Sequence, residues 1–336
     1  MINIGIIGVG YWGPNLVRNF RTQRDCKVVA VADAKADRRD FIATNYPGTD
    51  THADSAALLA DPRIDAVVIA TPVAMHYELA RQALESGRHV LLEKPMTASV
   101  VQAQELIELA ERKNLRLMVD HTFIYTGAVR KVKELVAAGT VGEILYFDSV
   151  RVNLGLFQHD VNVIWDLAPH DVSIMDYLMS DRAVAVSAIG RRHFRSAVED
   201  IAYLTVLFDA DAIAHFHVNW IAPVKVRTTL IGGTKRMIVY DDMEPSEKIK
   251  VYDKGVEFPA DEEAVRRMLV EYRIGDMTAP KIDGTEALRL LSREFLDAIA
   301  QGRAPLTDGH AGYRVVRVLE AANRSLAANG AVISLS

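Results

Sequence analysis

The feature that most constrains this sequence is a glycine-rich turn near its amino terminus. Residues 2–7 form a short apolar, β-branched run that predicts a buried strand of a parallel sheet. The pattern G-x-G-x-x-G follows at Gly8–Gly13, and then an amphipathic stretch predicts a helix. A second strand-like run, residues 27–32, ends at Asp33. Strand, glycines, helix, strand and acid in this order predict a turn that binds a dinucleotide.

Each residue of this pattern has a physical reason. Gly8 allows a tight turn, Gly10 lets the backbone approach a pyrophosphate, and Gly13 lets the helix pack close to the strand. The amino end of the helix supplies free N–H groups and the positive end of its dipole. The Asp33 carboxylate can bind two ribose hydroxyls and would repel a 2′-phosphate, which favours NAD over NADP. The alternative is an ordinary strand–helix turn with chance glycines.

After Asp33 the chain alternates between strand-like and helix-like stretches. Strands are predicted at 65–70, 89–92 and 116–119, and helices at 36–45, 54–59, 77–85 and 99–113. This alternation predicts an α/β domain with an open, doubly wound, mostly parallel sheet, the Rossmann arrangement, over residues 1–120.

A different pattern begins near residue 121. Several strand-like runs alternate polar with apolar residues, as in His215–Trp220, which is typical of an antiparallel sheet with one covered face. Strands are predicted at 144–152, 183–189, 201–208, 212–220, 225–231 and 236–239, and helices at 128–138, 165–179, 285–300 and 312–329. We predict a second, α+β domain over residues 121–336. Whether its last helix packs back on the first domain stays open.

The composition is that of an ordinary globular protein. The 336 residues are enough for two domains, 50% of them are hydrophobic and 25% are charged. The net charge of -5 gives no electrostatic reason to bind nucleic acid, and no apolar stretch reaches the length of a membrane helix. The single cysteine, Cys26, excludes an intrachain disulfide and suits a reducing cytoplasm. We expect a cytoplasmic protein that binds neither nucleic acid nor membrane.

Ligands of a doubly wound sheet bind at the carboxyl ends of its strands. The side chains at these ends that we expect to contact the cofactor are Thr71, Pro72, His76, Glu93 and Lys94. Tyr11 and Trp12 are expected to give backbone donors to the cofactor and to pack their side chains. The Lys94 ammonium can hydrogen-bond a substrate hydroxyl, and a nearby oxidised nicotinamide would make it a better proton acceptor. A solvated surface lysine is the alternative.

A second candidate group is Asp166 with His170. Asp166 can cap the amino end of a helix, and Pro169 is tolerated in the first turn. The spacing places His170 on the same helix face, where the carboxylate can orient the imidazole as a general base for an alcohol proton. The alternatives are a capping aspartate beside a buried histidine, and a zinc site completed by His159, although that spacing matches no standard motif.

Polar residues near this pair are expected to bind the substrate. Three of them come shortly before the helix, and His121 follows a strand of the first domain. The predicted substrate ligands are Lys94, His121, Arg151, Asn153, Gln158, Trp165 and His170.

In combination these motifs resemble the Gfo/Idh/MocA oxidoreductases. The resemblance covers nearly the whole chain and rests on Gly8–Gly13, Ala70-Thr71-Pro72 with His76, Glu93-Lys94-Pro95, and Asp166-x-x-x-His170 followed by Asp171. It implies a Rossmann domain and a C-terminal domain with a large open antiparallel sheet that often builds dimers or tetramers. It also implies hydride transfer between NAD(P) and a carbon of a sugar or cyclitol, with Lys94, Asp166 and His170 as catalytic residues. The peptide before Pro95 is commonly cis in the family.

One departure concerns the substrate side. Many members carry glycines just before the Asp-x-x-x-His motif, where this chain has Val161–Trp165. The form Trp-Asp-Leu-Ala-Pro-His-Asp is similar to members that oxidise UDP-N-acetylhexosamine derivatives at C3. We therefore predict an NAD-dependent dehydrogenase of a nucleotide-linked sugar, with NADP kept open by Arg38 and Arg39. The alternatives are a cyclitol or free-sugar dehydrogenase, a non-catalytic NAD-binding regulator, and an enzyme that uses bound NAD for hydrolysis or elimination.

Overall fold

The structure, a computed structural model, describes residues 1–155, 161–194, 197–257 and 271–335. The chain forms two compact units, Met1–Tyr125 with Thr285–Glu320, and Thr126–Gly284 with Ala321–Ser336. The sequence-based domain limits, 1–120 and 121–336, stay a prediction, and these units differ from them in assigning residues 285–320 to the first unit. None of the described helices combines the length and the apolar character that a membrane crossing requires.

The helices predicted from the sequence are present, with shifts of a few residues at their ends. The described α-helices are α1 Gly13–Arg21, α2 Ala36–Asn45, α3 Ser55–Leu59, α4 Val73–Glu85, α5 Val100–Arg112, α6 Gly127–Ala137, α7 Val163–Leu178, α8 Ala287–Gln301 and α9 Gly309–Ala327. Side-chain caps fix several of the starts. The Asp54 carboxylate accepts from the backbone N–H of Ala57 to begin α3, and the Ser99 hydroxyl accepts from Gln102 to begin α5.

A six-stranded parallel sheet in the order β3–β2–β1–β4–β5–β6 forms the centre of the first unit. The strands are β1 Ile2–Ile7, β2 Cys26–Ala32, β3 Asp50–His52, β4 Ala66–Ile69, β5 His89–Glu93 and β6 Leu117–Asp120. This confirms the doubly wound prediction. Patterning missed β3, because the three polar residues of this edge strand show no apolar alternation. The strand order reverses between β1 and β4, where such sheets open a ligand crevice.

The segment 285–320 completes the first unit. The rings of Phe20 in α1 and Phe295 in α8 are fully buried and meet edge to face, with centroids 6.3 Å apart. The Arg18 guanidinium donates two hydrogen bonds to Glu286, and the Thr307 hydroxyl donates to the carbonyl oxygen of Val119 at 2.7 Å. These contacts join residues far apart in sequence, which is why patterning assigned residues 285–300 to the second domain and left only the position of the last helix open.

A nine-stranded sheet dominates the second unit, in the order β16–β13–β12–β11–β7–β10–β9–β8–β17. Its strands are β7 Ile144–Leu154, β8 Ala183–Arg191, β9 Ile201–Phe208, β10 Ile213–Asn219, β11 Ile221–Gly233, β12 Met237–Asp241, β13 Ile249–Tyr252, β16 Met277–Thr278 and β17 Ile333–Ser334, while β14 Gly255–Glu257 and β15 Glu271–Arg273 form a separate pair. The sheet is mixed, because β10 pairs with β7 in parallel. Helix α7 packs on β7, β9 and β10. The alternation predicted in β10 is confirmed, since Phe216 and Val218 are buried and His215 and His217 are partly exposed.

Candidate functional site

The glycine turn lies at the carboxyl end of β1, beside the end of β4. Gly8 has a φ of +89°, and a Cβ on it would lie 2.6 Å from the carbonyl oxygen of Ala70. A Cβ on Gly13 would clash with the carbonyl oxygen of Gly8, so α1 begins tightly against the turn. A Cβ on Gly10 would meet no atom of the described residues within 4 Å. The turn therefore has an open backbone face above Gly10, which fits the close approach of a pyrophosphate.

The two aromatic residues of the turn behave differently. Trp12 is the N-cap residue of α1, and its side chain lies near Asp120 at the end of β6, where it lowers the pKa of that carboxyl group. Tyr11 is 91% exposed, so the prediction that its side chain packs is wrong. The tight backbone between Gly8 and Gly13 directs the intervening Tyr11 side chain outward. The binding of the cofactor by the backbone of these residues stays a prediction.

Asp33 lies at the end of β2 next to the glycine turn. Its Oδ2 accepts from the backbone N–H of Val9 at 2.8 Å, and its Oδ1 accepts from the backbone N–H of Lys35 at 2.9 Å. Each carboxylate oxygen has a second lone pair for a ribose hydroxyl. The Arg39 guanidinium donates to the carbonyl oxygens of Asp33 and Ala34, so one of its nitrogens is already engaged with the backbone. This arrangement fits a ribose with a free 2′-hydroxyl.

His76 connects two loops at the same edge of the sheet. It lies on α4, which begins just after Pro72, and it is 1% exposed. Its Nε2 lies 2.8 Å from the carbonyl oxygen of Thr71 and its Nδ1 lies 2.9 Å from that of Pro95. Burial lowers the pKa of this imidazole. Both ring nitrogens thus face protein carbonyl oxygens, of which a neutral ring can donate to one, and a direct contact of His76 with the cofactor stays a prediction.

Lys94 follows β5 in a loop whose backbone is held from both sides. The peptide between Lys94 and Pro95 is cis, as the resemblance implies. The backbone N–H of Lys94 donates to Glu93 Oε2 at 3.1 Å, and the carbonyl of Pro95 contacts His76. The main chain at Lys94 is therefore fixed at the ligand edge of the sheet.

A buried pair of carboxyl groups lies beside this loop. Glu93 stands opposite Asp120 in the pairing of β5 with β6. Burial raises the pKa of Glu93 well above its ordinary range, and the Asp120 charge raises it further. Asp120 is 1% exposed and accepts from the Thr122 hydroxyl at 2.5 Å; burial raises its pKa, and the Thr122 hydroxyl and the nearby Trp12 side chain act against this effect. Patterning assigned Asp120 no role, although it follows the strand predicted at 116–119 and so lies at the same edge of the sheet as Glu93.

His121 is a buried imidazole next to the same loop. It is 1% exposed, and within the described part of the chain neither ring nitrogen has a hydrogen-bond partner. Burial and the charges of Lys94 and Arg314 lower its pKa to about 3, so the ring is neutral. A neutral imidazole with open nitrogens is suited to a hydroxyl-bearing ligand, and its role as a substrate ligand stays a prediction.

Helix α7 of the second unit begins earlier than the sequence predicted. Its N-cap residue is Asn162, whose Oδ1 accepts from the backbone N–H of Trp165 at 3.3 Å. The prediction that Asp166 caps the helix is therefore wrong, because the asparagine four residues earlier already supplies the capping oxygen. Asp166 lies in the first turn, and Pro169 lies inside the helix.

Asp166 has a partner that the sequence did not reveal. Its Oδ2 accepts from the indole of Trp220 at 2.9 Å, across 54 residues of chain. His170 follows one turn later on the same face of α7. Trp165, a predicted substrate ligand, is 6% exposed, and its indole N–H has no hydrogen-bond partner in the described ranges. Asp166 and His170 thus occupy the spacing that their predicted roles require.

Arg151 differs from the other predicted substrate ligands. Its guanidinium donates to both carboxylate oxygens of Asp171, at 2.6 and 2.8 Å, and both side chains are buried. This gives Arg151 a structural partner, and its contact with substrate stays a prediction. Asn153 lies on β7 and is partly exposed, while Gln158 and His159 lie outside the described residues. Within those residues no group of three His, Cys, Asp or Glu side chains is arranged to hold a metal ion.

Comparisons with known proteins agree with this geometry. A family model described as an oxidoreductase family with an NAD-binding Rossmann fold matches residues 2–121, and one described as a GFO/IDH/MocA C-terminal domain matches residues 129–239. The parallel sheet, the glycine turn and the acid after β2 define an oxidoreductase that binds NAD through a Rossmann domain. The two models together match more than half of the chain, and the protein belongs to the Gfo/Idh/MocA family.

Individual relatives match over different lengths. The UDP-N-acetylglucosamine 3-dehydrogenase of Acidithiobacillus ferrooxidans is 28% identical over 323 residues, 93% of each chain. A solved structure of that enzyme has a TM-score of 0.82 at 25% identity and covers 98% of each chain. A levoglucosan dehydrogenase in complex with NADH and levoglucosan has a TM-score of 0.84 at 20% identity, covers 99% of each chain and shares the fold. An uncharacterized oxidoreductase of Synechocystis, 30% identical, matches over 43% of this chain and 38% of its own length.

Proposed function

We propose that this enzyme oxidises a secondary alcohol of a nucleotide-linked sugar, at a C3-type position, with NAD. The observation that carries the proposal is the match over nearly full length to a UDP-N-acetylglucosamine 3-dehydrogenase, in both sequence and structure. The Asp33 carboxylate beside the glycine turn supports NAD as the cofactor, because a 2′-phosphate would meet its negative charge.

The proposed chemistry divides into hydride transfer and proton transfer. When bound, the nicotinamide supplies the hydride acceptor. Lys94 hydrogen-bonds the reacting hydroxyl and shares the removal of its proton with His170. Asp166 orients the His170 imidazole from one turn earlier on α7 and stabilises its protonated form. The indole of Trp220 fixes the Asp166 carboxylate for this task.

A substrate screen tests this proposal directly. UDP-N-acetylglucosamine, other nucleotide sugars, free sugars and cyclitols are each incubated with the enzyme and NAD, and NADH absorbance is followed. We expect turnover with a nucleotide sugar, and a kcat at least about 100-fold lower in Lys94→Ala. Lys27→Ala, at an exposed position on β2, is the control. Turnover of free sugars or cyclitols alone, or full activity in Lys94→Ala, would contradict the proposal.

The cofactor assignment has its own test. Asp33→Ala should weaken NAD binding, measured by calorimetry, while Asp40→Ala on the exposed side of α2 should not. Equal NAD affinity in both variants would remove the case for Asp33 as the ribose ligand.

We further propose that the enzyme is a cytoplasmic homodimer or homotetramer. One face of the nine-stranded sheet exposes apolar side chains in cross-strand pairs, with Tyr203 beside Ile189 and Leu207 beside Ile213. An apolar face of this kind suits a second copy of the chain. Leu207→Asp should shift the sedimentation coefficient towards that of the monomer, whereas Phe41→Asp on α2 should not. A monomeric parent protein would contradict the assembly.

The proposed cytoplasmic location rests on the single cysteine, Cys26.

A further inference from the structure

The carboxyl groups of Glu93 and Asp120 form the most unusual contact of the first unit. They lie opposite each other at the ends of β5 and β6, next to the cis peptide that follows Lys94. We propose that this carboxyl pair holds one shared proton, carried by Glu93, and that the protonated pair positions the backbone of Lys94. The proposal goes beyond the proposed function, because it concerns groups that no step of the reaction uses.

The need for a proton follows from counting donors. Glu93 is partly exposed as a residue, but its oxygen Oε1 is buried, as is Oδ2 of Asp120. Within the described ranges neither of these two oxygens has a hydrogen-bond partner when both groups are written as carboxylates. Two ionised carboxylates only accept hydrogen bonds, and they repel each other in a water-poor environment. One proton between them turns this repulsion into a hydrogen bond.

The donors around the pair place that proton on Glu93. Asp120 accepts a hydrogen bond from the Thr122 hydroxyl, and the nearby Trp12 side chain also lowers its pKa; both favour its ionised form. Glu93 accepts one backbone hydrogen bond, from Lys94 to Oε2, and its Oε1 has no protein donor in the described part of the chain. A protonated Glu93 therefore donates to Asp120 through the buried oxygen and accepts from Lys94 through the other.

The surrounding charges are consistent with a pair that keeps one negative charge. The Lys94 ammonium lowers the pKa of both carboxyl groups, against the effect of burial, which raises both. His121 is neutral next to this group, and Arg314 acts on His121 from α9. One negative charge opposite the Lys94 ammonium is balanced, whereas two would leave an unpaired buried charge.

The protonated pair affects the position of the Lys94 backbone. Trp12 belongs to the glycine turn, Asp120 to β6, and Glu93 precedes Lys94 in the loop after β5. The carboxyl pair thus lies between the glycine turn and the main chain of the candidate catalytic lysine. Glu93 and Asp120 act through Lys94 and are positioning residues.

Infrared spectroscopy and thermal unfolding of the full-length protein test the proposal without substrate. At pH 7 the parent protein should show the C=O stretch of one buried carboxylic acid, and Glu93→Gln should lack it. The amide of Glu93→Gln accepts from Lys94 and donates to Asp120 as the protonated acid does, so near pH 4.5 its melting temperature should stay within about 2 °C of that of the parent protein. Asp120→Asn replaces one accepting oxygen by a donating NH2 group beside the Thr122 hydroxyl and the protonated Glu93, and should melt about 5 °C lower or more.

Glu93→Ala, which can neither donate nor accept, is the matched control and should also melt several degrees lower. The proposal fails if the parent protein shows no acid band at pH 7. It also fails if Asp120→Asn is tolerated while Glu93→Gln is damaged, because the proton would then lie on Asp120. Higher melting temperatures in both variants would show two ionised groups. If Asp120→Asn does not fold, the infrared acid bands of the parent protein and of Glu93→Gln still show whether Glu93 carries the proton. None of these readouts depends on which substrate the enzyme uses.

Discussion

Asp120 in the first unit and Asp171 in the second are both almost fully buried, but their partners differ in kind. Asp171 meets the Arg151 guanidinium through two hydrogen bonds, at 2.6 and 2.8 Å. Asp120 meets Glu93, a second acid. The first carboxylate is balanced by a permanent opposite charge, because arginine stays protonated. The second is balanced only while a proton is present.

This difference shows that burial by itself does not indicate whether an acid has a structural role or belongs to a functional site. The ion pair between Arg151 and Asp171 is buried and balances both charges within the second unit, which gives it a structural role. A carboxyl pair at a strand end has a charge that depends on its surroundings, and it adjoins Lys94 and the glycine turn. The kind of partner, rather than burial itself, separates a structural acid from one that belongs to a site.

Breaking the ion pair should give the largest change in stability. Burial lowers the pKa of Arg151, and the charge and hydrogen bonds of Asp171 outweigh that effect. Arg151→Met leaves the buried Asp171 carboxyl group without its partner, and should reduce the free energy of unfolding by about 3–5 kcal/mol. Urea unfolding followed by circular dichroism measures this loss.

The control is an exposed pair of the same chemistry. Arg182 and Asp209 lie 3.4 Å apart, with the Arg182 side chain 75% exposed. Arg182→Met should cost less than about 1 kcal/mol. Replacing both buried partners, as Arg151→Met with Asp171→Leu, should recover much of the loss. If the two arginine substitutions reduced the free energy of unfolding equally, burial would not distinguish the two ion pairs.

The carboxyl pair should make stability depend on pH. Because the pKa of Glu93 is raised in the folded protein, the folded state binds a proton that the unfolded chain releases above the ordinary value of 4.5. Its stabilising effect is therefore complete below that pH and is lost as pH rises towards the folded pKa. Relative to Glu93→Gln, the parent protein should lose up to about 1.4 kcal/mol per pH unit in this window.

The measurement is a series of urea unfolding curves from pH 4 upwards for both proteins. Glu108→Gln, at an exposed position on α5, is the control and should follow the parent protein. Parallel stability curves for the parent and Glu93→Gln would contradict a raised pKa at Glu93.

The first unit was easier to predict from sequence than the second. Its helices and five of its six strands follow from local patterns, because each buried parallel strand is an apolar run between turns. Strand β3 was missed because Asp50–His52 is short and polar. The second sheet was predicted as antiparallel, but the parallel pairing of β7 with β10 depends on strand order, which local alternation does not encode.

The candidate site divides in the same way. The glycine turn, Asp33 and Lys94 were found because each follows a strand, and strand ends meet at one edge of a parallel sheet. The spacing of Asp166 and His170 was found because it is a local helical relation. Partners from distant segments were not found, since no local signal links Trp220 to Asp166.

Cys26 extends the comparison to a buried acid whose pKa is raised mainly by burial, while the charges of Asp25 and Arg293 act on it in opposite directions. Burial at the start of β2 raises the pKa of its thiol to about 12, and the Asp25 charge adds to this effect. The thiol therefore stays protonated, and the thiolate is the form that reacts with disulfides and alkylating agents. We expect modification by Ellman's reagent at pH 8 to be slow in the native protein and fast in urea. Rapid modification of the native protein would mean that the start of β2 opens readily, and burial alone would then not keep this acid protonated.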